Sequence, residues 1–235
     1  MTAEVLIRTQ LVCFDLDGVI TNTMPFHFQA WKQILENEGL AISEYDVYSR
    51  EGQKGAESVR DIFADYGKAI SHAQALKILS DKEILFKNIV RLEFIPGSLE
   101  FLDFLSEAGF TLALVTGTSR HELEQYVPAD VLKYFKVIVT GTDVRNGKPH
   151  PEPYQTALKQ LGFEPLEAVV IENAPLGVAS AKAAGIRCLA LETSLPRRYL
   201  AEADFVFSSV EELRSVVSFR HLKNFGESRI VEKIS

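Results

Sequence analysis

Short apolar runs separated by amphipathic stretches set the pattern of this chain. Leu11–Phe14, Leu112–Val115, Val137–Val139, Val169–Ile171 and Cys188–Leu191 are mostly unalternating and partly β-branched. Strands of a parallel sheet covered on both faces have this character. Between them, Gly97–Ala108, Arg120–Val127, Pro151–Leu161 and Gly177–Ala184 have helical periodicity. Pro96, Pro151 and Pro175 stand near helix starts, where a missing N–H costs nothing, and Gly109, Gly162 and Gly185 stand just past helix ends. Repeated strand–helix units predict an α/β fold with a doubly wound parallel sheet.

The stretch from about Thr23 to Phe94 departs from that rhythm. It holds helical patterns at Phe26–Asn37, Glu57–Tyr66 and Ala73–Val90 and no comparable strand. It is too long for a βα loop. We therefore expect an inserted α-helical cap over residues 23–94, with residues 1–22 and 95–235 forming the core. An insertion at this point overhangs the carboxyl end of the first strand and can exclude water from it. After Val217 the pattern is ambiguous, and Arg229–Ile234 reads as an edge strand.

Composition narrows the function classes. Apolar residues make up 46% of the 235 positions and charged residues 24%, as in ordinary globular proteins. A net charge of −7 argues against a nucleic-acid partner. The two cysteines, Cys13 and Cys188, lie in apolar runs, which excludes a disulfide scaffold and a cysteine zinc site. Met1-Thr2-Ala3-Glu4 opens no secretory signal, and no apolar run approaches the ~20 residues of a membrane span. A cytoplasmic protein without a membrane partner is expected.

The chemistry-bearing residues fall at strand ends, where ligands of open α/β sheets bind. Leu11–Phe14 runs into Asp15-Leu16-Asp17-Gly18, two carboxylates one residue apart. Such a pair is costly unless a metal or cation offsets it. Leu112–Val115 runs into Thr116-Gly117-Thr118-Ser119-Arg120, hydroxyls and backbone N–H groups at a helix start, which suits an anion. Lys148 stands in the proline-stiffened Gly147-Lys148-Pro149-His150-Pro151 loop, suited to clamp two anions. Val169–Ile171 runs into Glu172-Asn173, which brings hard oxygen ligands. Each feature alone reads as a helix cap or a solvated loop side chain. Acid, hydroxyl, lysine and acid in this order at successive strand ends are hard to obtain as independent accidents.

With these four motifs, the chain from about Leu11 to Leu189 resembles the haloacid dehalogenase-like superfamily of phosphohydrolases, in the helical-cap branch that includes β-phosphoglucomutase. The resemblance implies a Rossmann-like core and a set of roles. Asp15 would attack phosphorus and carry an aspartyl-phosphate. Asp17 would protonate the leaving group and then activate water. Thr116 and Lys148 would bind phosphoryl oxygens, with Gly117 and Thr118 beside them on the substrate. The Asp15 carboxylate, the Asp17 carbonyl and Asn173, with Glu172 nearby, would hold Mg2+. Dehalogenases and phosphonatases of the superfamily generally lack the second acid, so Asp17 points to phosphate ester or anhydride chemistry. Response-regulator receivers share acid, hydroxyl and lysine, but they lack a cap of this size and carry extra acids on the first strand, where Leu6–Phe14 has none.

The cap bears on the substrate. His27, ten residues after Asp17, matches a histidine of the mutase cap entry. It contacts substrate or sets the protonation of Asp17, or equally it is a packing residue. In the Arg50–Ser58 loop, the position of the mutase's phosphate-gripping arginine falls on Gly55, and an acid, Glu51, stands earlier. Glu51, Asn173 and the run Ile171-Glu172-Asn173-Ala174-Pro175-Leu176-Gly177-Val178 resemble members that include inorganic pyrophosphatases. In that group Glu51 would restore metal-site charge, and Lys82 would bind the leaving phosphate unless it is a solvated helix lysine. The expectation is a magnesium-dependent hydrolase of a small phosphate, pyrophosphate first, and a monomer. The alternatives are a sugar-phosphate phosphatase or β-phosphoglucomutase and, from another class, a non-catalytic phosphate-binding regulator.

Overall fold

The computed structural model describes residues 4–222. Its strands are β1 (Val5–Thr9), β2 (Leu11–Phe14), β3 (Thr111–Val115), β4 (Val137–Val139), β5 (Ala168–Glu172), β6 (Arg187–Leu191), β7 (Phe205–Phe207) and β8 (Val217–His221). Six of them form one parallel sheet in the order β4-β3-β2-β5-β6-β7. The chain runs from β2 outward to β4, then returns to the other side of β2 as β5. That reversal opens a crevice at the carboxyl ends of β2 and β5, where ligands of such sheets bind.

Alternation along each strand divides the core into two layers. Val12, Phe14, Leu112, Leu114, Val169 and Ile171 pack with Phe101, Leu102 and Leu105 of helix α5 (Ser98–Glu107). Leu11, Cys13, Ala113, Val115, Val170 and Cys188 face the other way, against helices α8 (Glu152–Leu161) and α9 (Pro175–Ala183). Both faces are covered, which explains the unalternating runs. Fully burying each large apolar side chain contributes about 1.5–3 kcal/mol. The remaining core helices are α6 (Arg120–Tyr126), α7 (Ala129–Leu132) and α10 (Val210–Val216).

The insertion consists of α1 (Met24–Asn37), α2 (Glu44–Tyr48), α3 (Gly55–Asp65) and α4 (His72–Ile89). Ser43 and Ser71 start α2 and α4 through capping boxes with Asp46 and Gln74, which satisfy otherwise orphaned N–H groups. These helices bury an apolar cluster of their own, including Trp31, Leu35, Val59, Ile62, Phe63 and Ile78. Two core residues after β6 join it, buried Leu195 and partly buried Tyr199. The chain enters and leaves the insertion side by side, with the Asn22 N–H bonded to the Glu93 carbonyl at 2.8 Å.

Several elements depart from the pattern-based expectation, among them the short helices α2 and α7. β1 and β8 form a separate two-stranded parallel sheet, and β7 and α10 extend the core beyond β6. β1 alternates between exposed and buried residues and is separated from β2 only by Gln10, so its apolar signal is weak. The expected Arg229–Ile234 strand lies outside the described residues. No helix among the described residues is long and apolar enough to cross a membrane.

Candidate active site

Asp15 follows β2 directly, and its N–H still pairs with the Ile171 carbonyl at 3.0 Å. Its carboxyl group therefore stands on the sheet rim, buried between the ends of β3 and β5. The chain then turns at Gly18, whose φ of +86° favours glycine, and sets Asp17 back over the same crevice.

Lys148 lies at the centre of the rim. Its Nζ donates to Asp15 Oδ1 at 2.6 Å, Glu172 Oε1 at 2.6 Å and the Val115 carbonyl at 3.1 Å, so all three protons have acceptors. Burial opposes its charge, but Asp15 and Glu172 overcome this and hold the ammonium well above the usual lysine range. Glu172 is fully engaged elsewhere as well. Its Oε1 also accepts from the Tyr154 hydroxyl at 2.9 Å, and its Oε2 accepts the Asn173 and Ala174 N–H groups. Glu172, expected among the metal-binding residues, thus anchors Lys148 and has no oxygen left for a cation.

The two aspartates have opposite surroundings. Burial pushes Asp15 up to about 7, with Lys148 pulling against it and Glu172 and Asp17 adding to it. Asp17 is equally buried, but bonds from His27, Thr23 and Thr118 outweigh burial and hold it at about 2. Thr23 donates to its Oδ1, Tyr126 reaches the same atom at 3.3 Å, and Thr118 reaches Oδ2 at 3.0 Å. Asp15 Oδ2, by contrast, is buried without a hydrogen-bond partner. The crowded carboxylate is held ionised, and the other keeps one oxygen without a partner.

A cavity of about 330 Å³ opens in front of the rim, lined by Asp15, Asp17 and Thr116 from the core and His27, Glu51 and Lys82 from the insertion. His27 Nε2 lies 3.6 Å from Asp17 Oδ1, and its Nδ1 lies 2.9 Å from Lys82 Nζ. Burial and the Lys82 charge press the His27 pKa down, so the ring is neutral, accepting from Lys82 and directing Nε2–H toward Asp17. Lys82 is buried rather than solvated, with Nζ over the rings of Phe86 at 4.6 Å and Trp31 at 5.5 Å. Gly117 lacks a side chain where the insertion's loop presses in: a Cβ there would lie 2.7 Å from Gly52 Cα.

A cation site is suggested by orphaned oxygens. Asp15 Oδ2 and Glu51 Oε1 are buried without partners, as is Asn173 Oδ1 on the far side of an amide whose nitrogen faces the site. Asn173 Nδ2 donates to the Asp17 carbonyl at 3.1 Å and to Glu51 Oε2 at 3.2 Å. Among the described residues no group of three or more His, Cys, Asp or Glu side chains is arranged to hold a metal. The oxygen set here mixes two carboxylates with an amide and a main-chain carbonyl, hard donors that suit magnesium. Burial, with Asp15, Asp17 and Glu172 around it, pushes Glu51 well above the usual carboxylate range. Asp15, Asp17, Glu51 and Glu172 outnumber the ammonium groups of Lys148 and Lys82, an excess of acid that a divalent cation fits.

Sequence reasoning gave no role to Thr23, Tyr126, Tyr154 or Ser194, although each touches a site residue. Tyr154 carried a faint signal, as the last residue of the proline-rich stretch that holds Lys148.

A parallel sheet with an acid–hydroxyl–lysine–acid rim beneath an inserted helical cap is the architecture of a capped phosphohydrolase. The model of the haloacid dehalogenase-like hydrolases matches residues 12–191, and the chain belongs to that family. It is 35% identical over 187 residues to a phosphorylated carbohydrates phosphatase of Thermotoga maritima, covering 75% of this chain and 82% of that one. It is 27% identical over 222 residues to the pyrophosphatase PpaX of Bacillus pumilus, covering 88% and 95%. A solved β-phosphoglucomutase-like protein of Bacteroides vulgatus superposes with a TM-score of 0.79 at 36% identity, covering 88% and 86%. The chain is accordingly a phosphatase of this family.

Proposed function

We propose that this phosphatase is magnesium-dependent, works through an aspartyl-phosphate on Asp15, and acts first on inorganic pyrophosphate. The observation that carries the substrate reading is Glu51. The insertion's loop brings this carboxylate to 3.2 Å from Asn173 Nδ2, whereas the Arg50 guanidinium is tied to the Asp46 carbonyl and the Asp65 carboxylate. An acid on the cation side suits a compact, highly charged substrate held largely through its counter-ion. Lys82, without a carboxylate in ion-pair range among the described residues, is suited to the distal phosphate.

Asp15, oriented by Lys148, attacks phosphorus while Thr116 holds a phosphoryl oxygen and the Lys148 charge offsets the negative charge beside it. The leaving phosphate departs toward Lys82 and His27. Asp17, held by Thr23, Thr118 and Tyr126, is ionised before substrate enters. The anionic substrate beside it raises its proton affinity, so it takes up a proton from the incoming protonated phosphate or from solvent. It gives that proton to the leaving oxygen and later takes one from the water that cleaves the aspartyl-phosphate. Asp15, the Asp17 carbonyl, Asn173 and Glu51 would hold magnesium, which when bound lowers the charge on the transferred group.

A second reading, a sugar-phosphate phosphatase, has its own support. Met24, Trp31, Val47 and Leu79 give the cavity apolar walls that fit a carbon skeleton, and the Thermotoga relative is named for phosphorylated carbohydrates. A substrate panel with magnesium decides between the two. We expect kcat/KM for pyrophosphate to exceed that for glucose 6-phosphate by at least about 100-fold, a differential of roughly 2.7 kcal/mol. The reverse order would install the second reading.

A further inference from the structure

The loop after β6 touches the site through one side chain that the reaction does not use. Ser194 Oγ lies 2.8 Å from Asn173 Nδ2. That nitrogen already faces two acceptors, the Asp17 carbonyl and Glu51 Oε2. Asn173 Oδ1, on the other side of the same amide, is fully buried and has no partner. An amide whose nitrogen is surrounded by acceptors while its oxygen is orphaned is matched to the site as it stands, but not to a cation. A cation needs the oxygen on the side of Asp17 and Glu51.

The surroundings are built for this pair. A Cβ on Gly18 would lie 2.1 Å from Asn173 Nδ2 and 2.7 Å from Ser194 Oγ, so the glycine leaves space that the amide and hydroxyl fill. Thr193 Oγ1 donates to the Gly18 carbonyl at 2.5 Å, which fixes the loop on one side of Ser194. Leu195, buried in the apolar cluster of the insertion, fixes it on the other.

We propose that Ser194 is a positioning residue for Asn173. Its hydroxyl accepts from Nδ2 in the arrangement seen and donates to Oδ1 once the amide turns over to present its oxygen to a divalent cation. A hydroxyl can do both because it carries one donor proton and two acceptor lone pairs. Alanine can do neither. Leu195 makes the same loop sensitive to the placement of the insertion, so the positioning of the ligand is tied to the packing of the cap. The inference rests on the reading of Asp15, the Asp17 carbonyl, Asn173 and Glu51 as a cation site.

The test is direct Mn2+ binding to the full chain without substrate, followed by electron paramagnetic resonance or calorimetry. Loss of a partner that orients a ligand typically weakens metal affinity about 10–100-fold. Ser194→Ala should therefore bind Mn2+ at least about 10-fold more weakly than the unaltered protein, and Ser194→Thr should restore affinity. In an Asn173→Asp background, Ser194→Ala should change affinity by less than about threefold, because a carboxylate offers an oxygen in either orientation. Thermal midpoints of all variants separate misfolding from weak binding. Mn2+ affinity unchanged in Ser194→Ala overturns the role of Ser194 and leaves the cation site standing. An unaltered protein whose Mn2+ binding is absent, or insensitive to Asp15→Asn, overturns the cation site and this inference with it.

Discussion

Lys148 and Glu51 approach the same carboxylate, Asp15, from opposite walls of the cavity, one with every proton placed and the other with an oxygen left bare. On the core wall, Lys148, Glu172 and Tyr154 form a closed network with no spare donor or acceptor. On the wall formed by the insertion, Glu51 Oε1 and Gln53 Oε1 are buried without partners. A satisfied network is rigid and holds Asp15 in one geometry. An unsatisfied one is costly unless something arrives to complete it. The difference assigns fixed chemistry to the sheet rim and adaptable recognition to the loop that bears Glu51. The two walls meet through glycines, with a Cβ on Gly52 reaching within 2.5 Å of Lys148 Cδ.

Substitutions can break this comparison. Asp15→Asn should lower turnover by at least about 10³-fold while leaving the thermal midpoint within a few degrees, as losing a nucleophile does; steady-state kinetics and calorimetry check both. Lys148→Met should remove turnover and also destabilise the fold by about 3–5 kcal/mol, because two carboxylates are left buried around one lost charge. Urea unfolding reads that value, and a change below 1 kcal/mol would show that the core network is not the rigid wall described. Glu51→Gln should instead spare stability and weaken magnesium activation about 10–100-fold. An unchanged magnesium dependence would return Glu51 to an ordinary loop position. Gly52→Ala places a Cβ at a φ of +80° and against Lys148. It should cost about 1–2 kcal/mol in backbone strain and lower kcat more than it raises KM. Tyr126→Phe keeps the ring against Phe86 and removes one hydrogen bond to Asp17, worth about 0.5–1.5 kcal/mol, so kcat should fall only about 2–10-fold.

The contrast between the walls also explains what the sequence discloses. Asp15 and Thr116 follow strongly apolar runs and Glu172 ends one, while Lys148 is marked by its proline-rich loop, so strand ends and chemistry can be located together. The insertion was evident from its helical periodicity, because α1, α3 and α4 each carry an apolar face that packs inward. Glu172 had the right position and a different task, since nothing local reveals that its oxygens are consumed by Lys148, Tyr154 and two N–H groups. Tyr126 and Ser194 meet Asp17 and Asn173 across 109 and 21 residues, separations that leave no local pattern. β1 and β8 were missed for the same reason: Val5 pairs with Val217, and neither strand is apolar enough to announce itself alone.

The most direct test of the assignment of chemistry to the core is to find where the phosphoryl group rests. Rapid quenching of the magnesium-loaded enzyme during turnover of pyrophosphate, followed by reduction of the acyl phosphate with labelled borohydride and peptide mass spectrometry, should convert Asp15 alone to labelled homoserine as phosphate leaves. Turnover of pyrophosphate at full rate with no label on Asp15, or with label on Asp17, would contradict it.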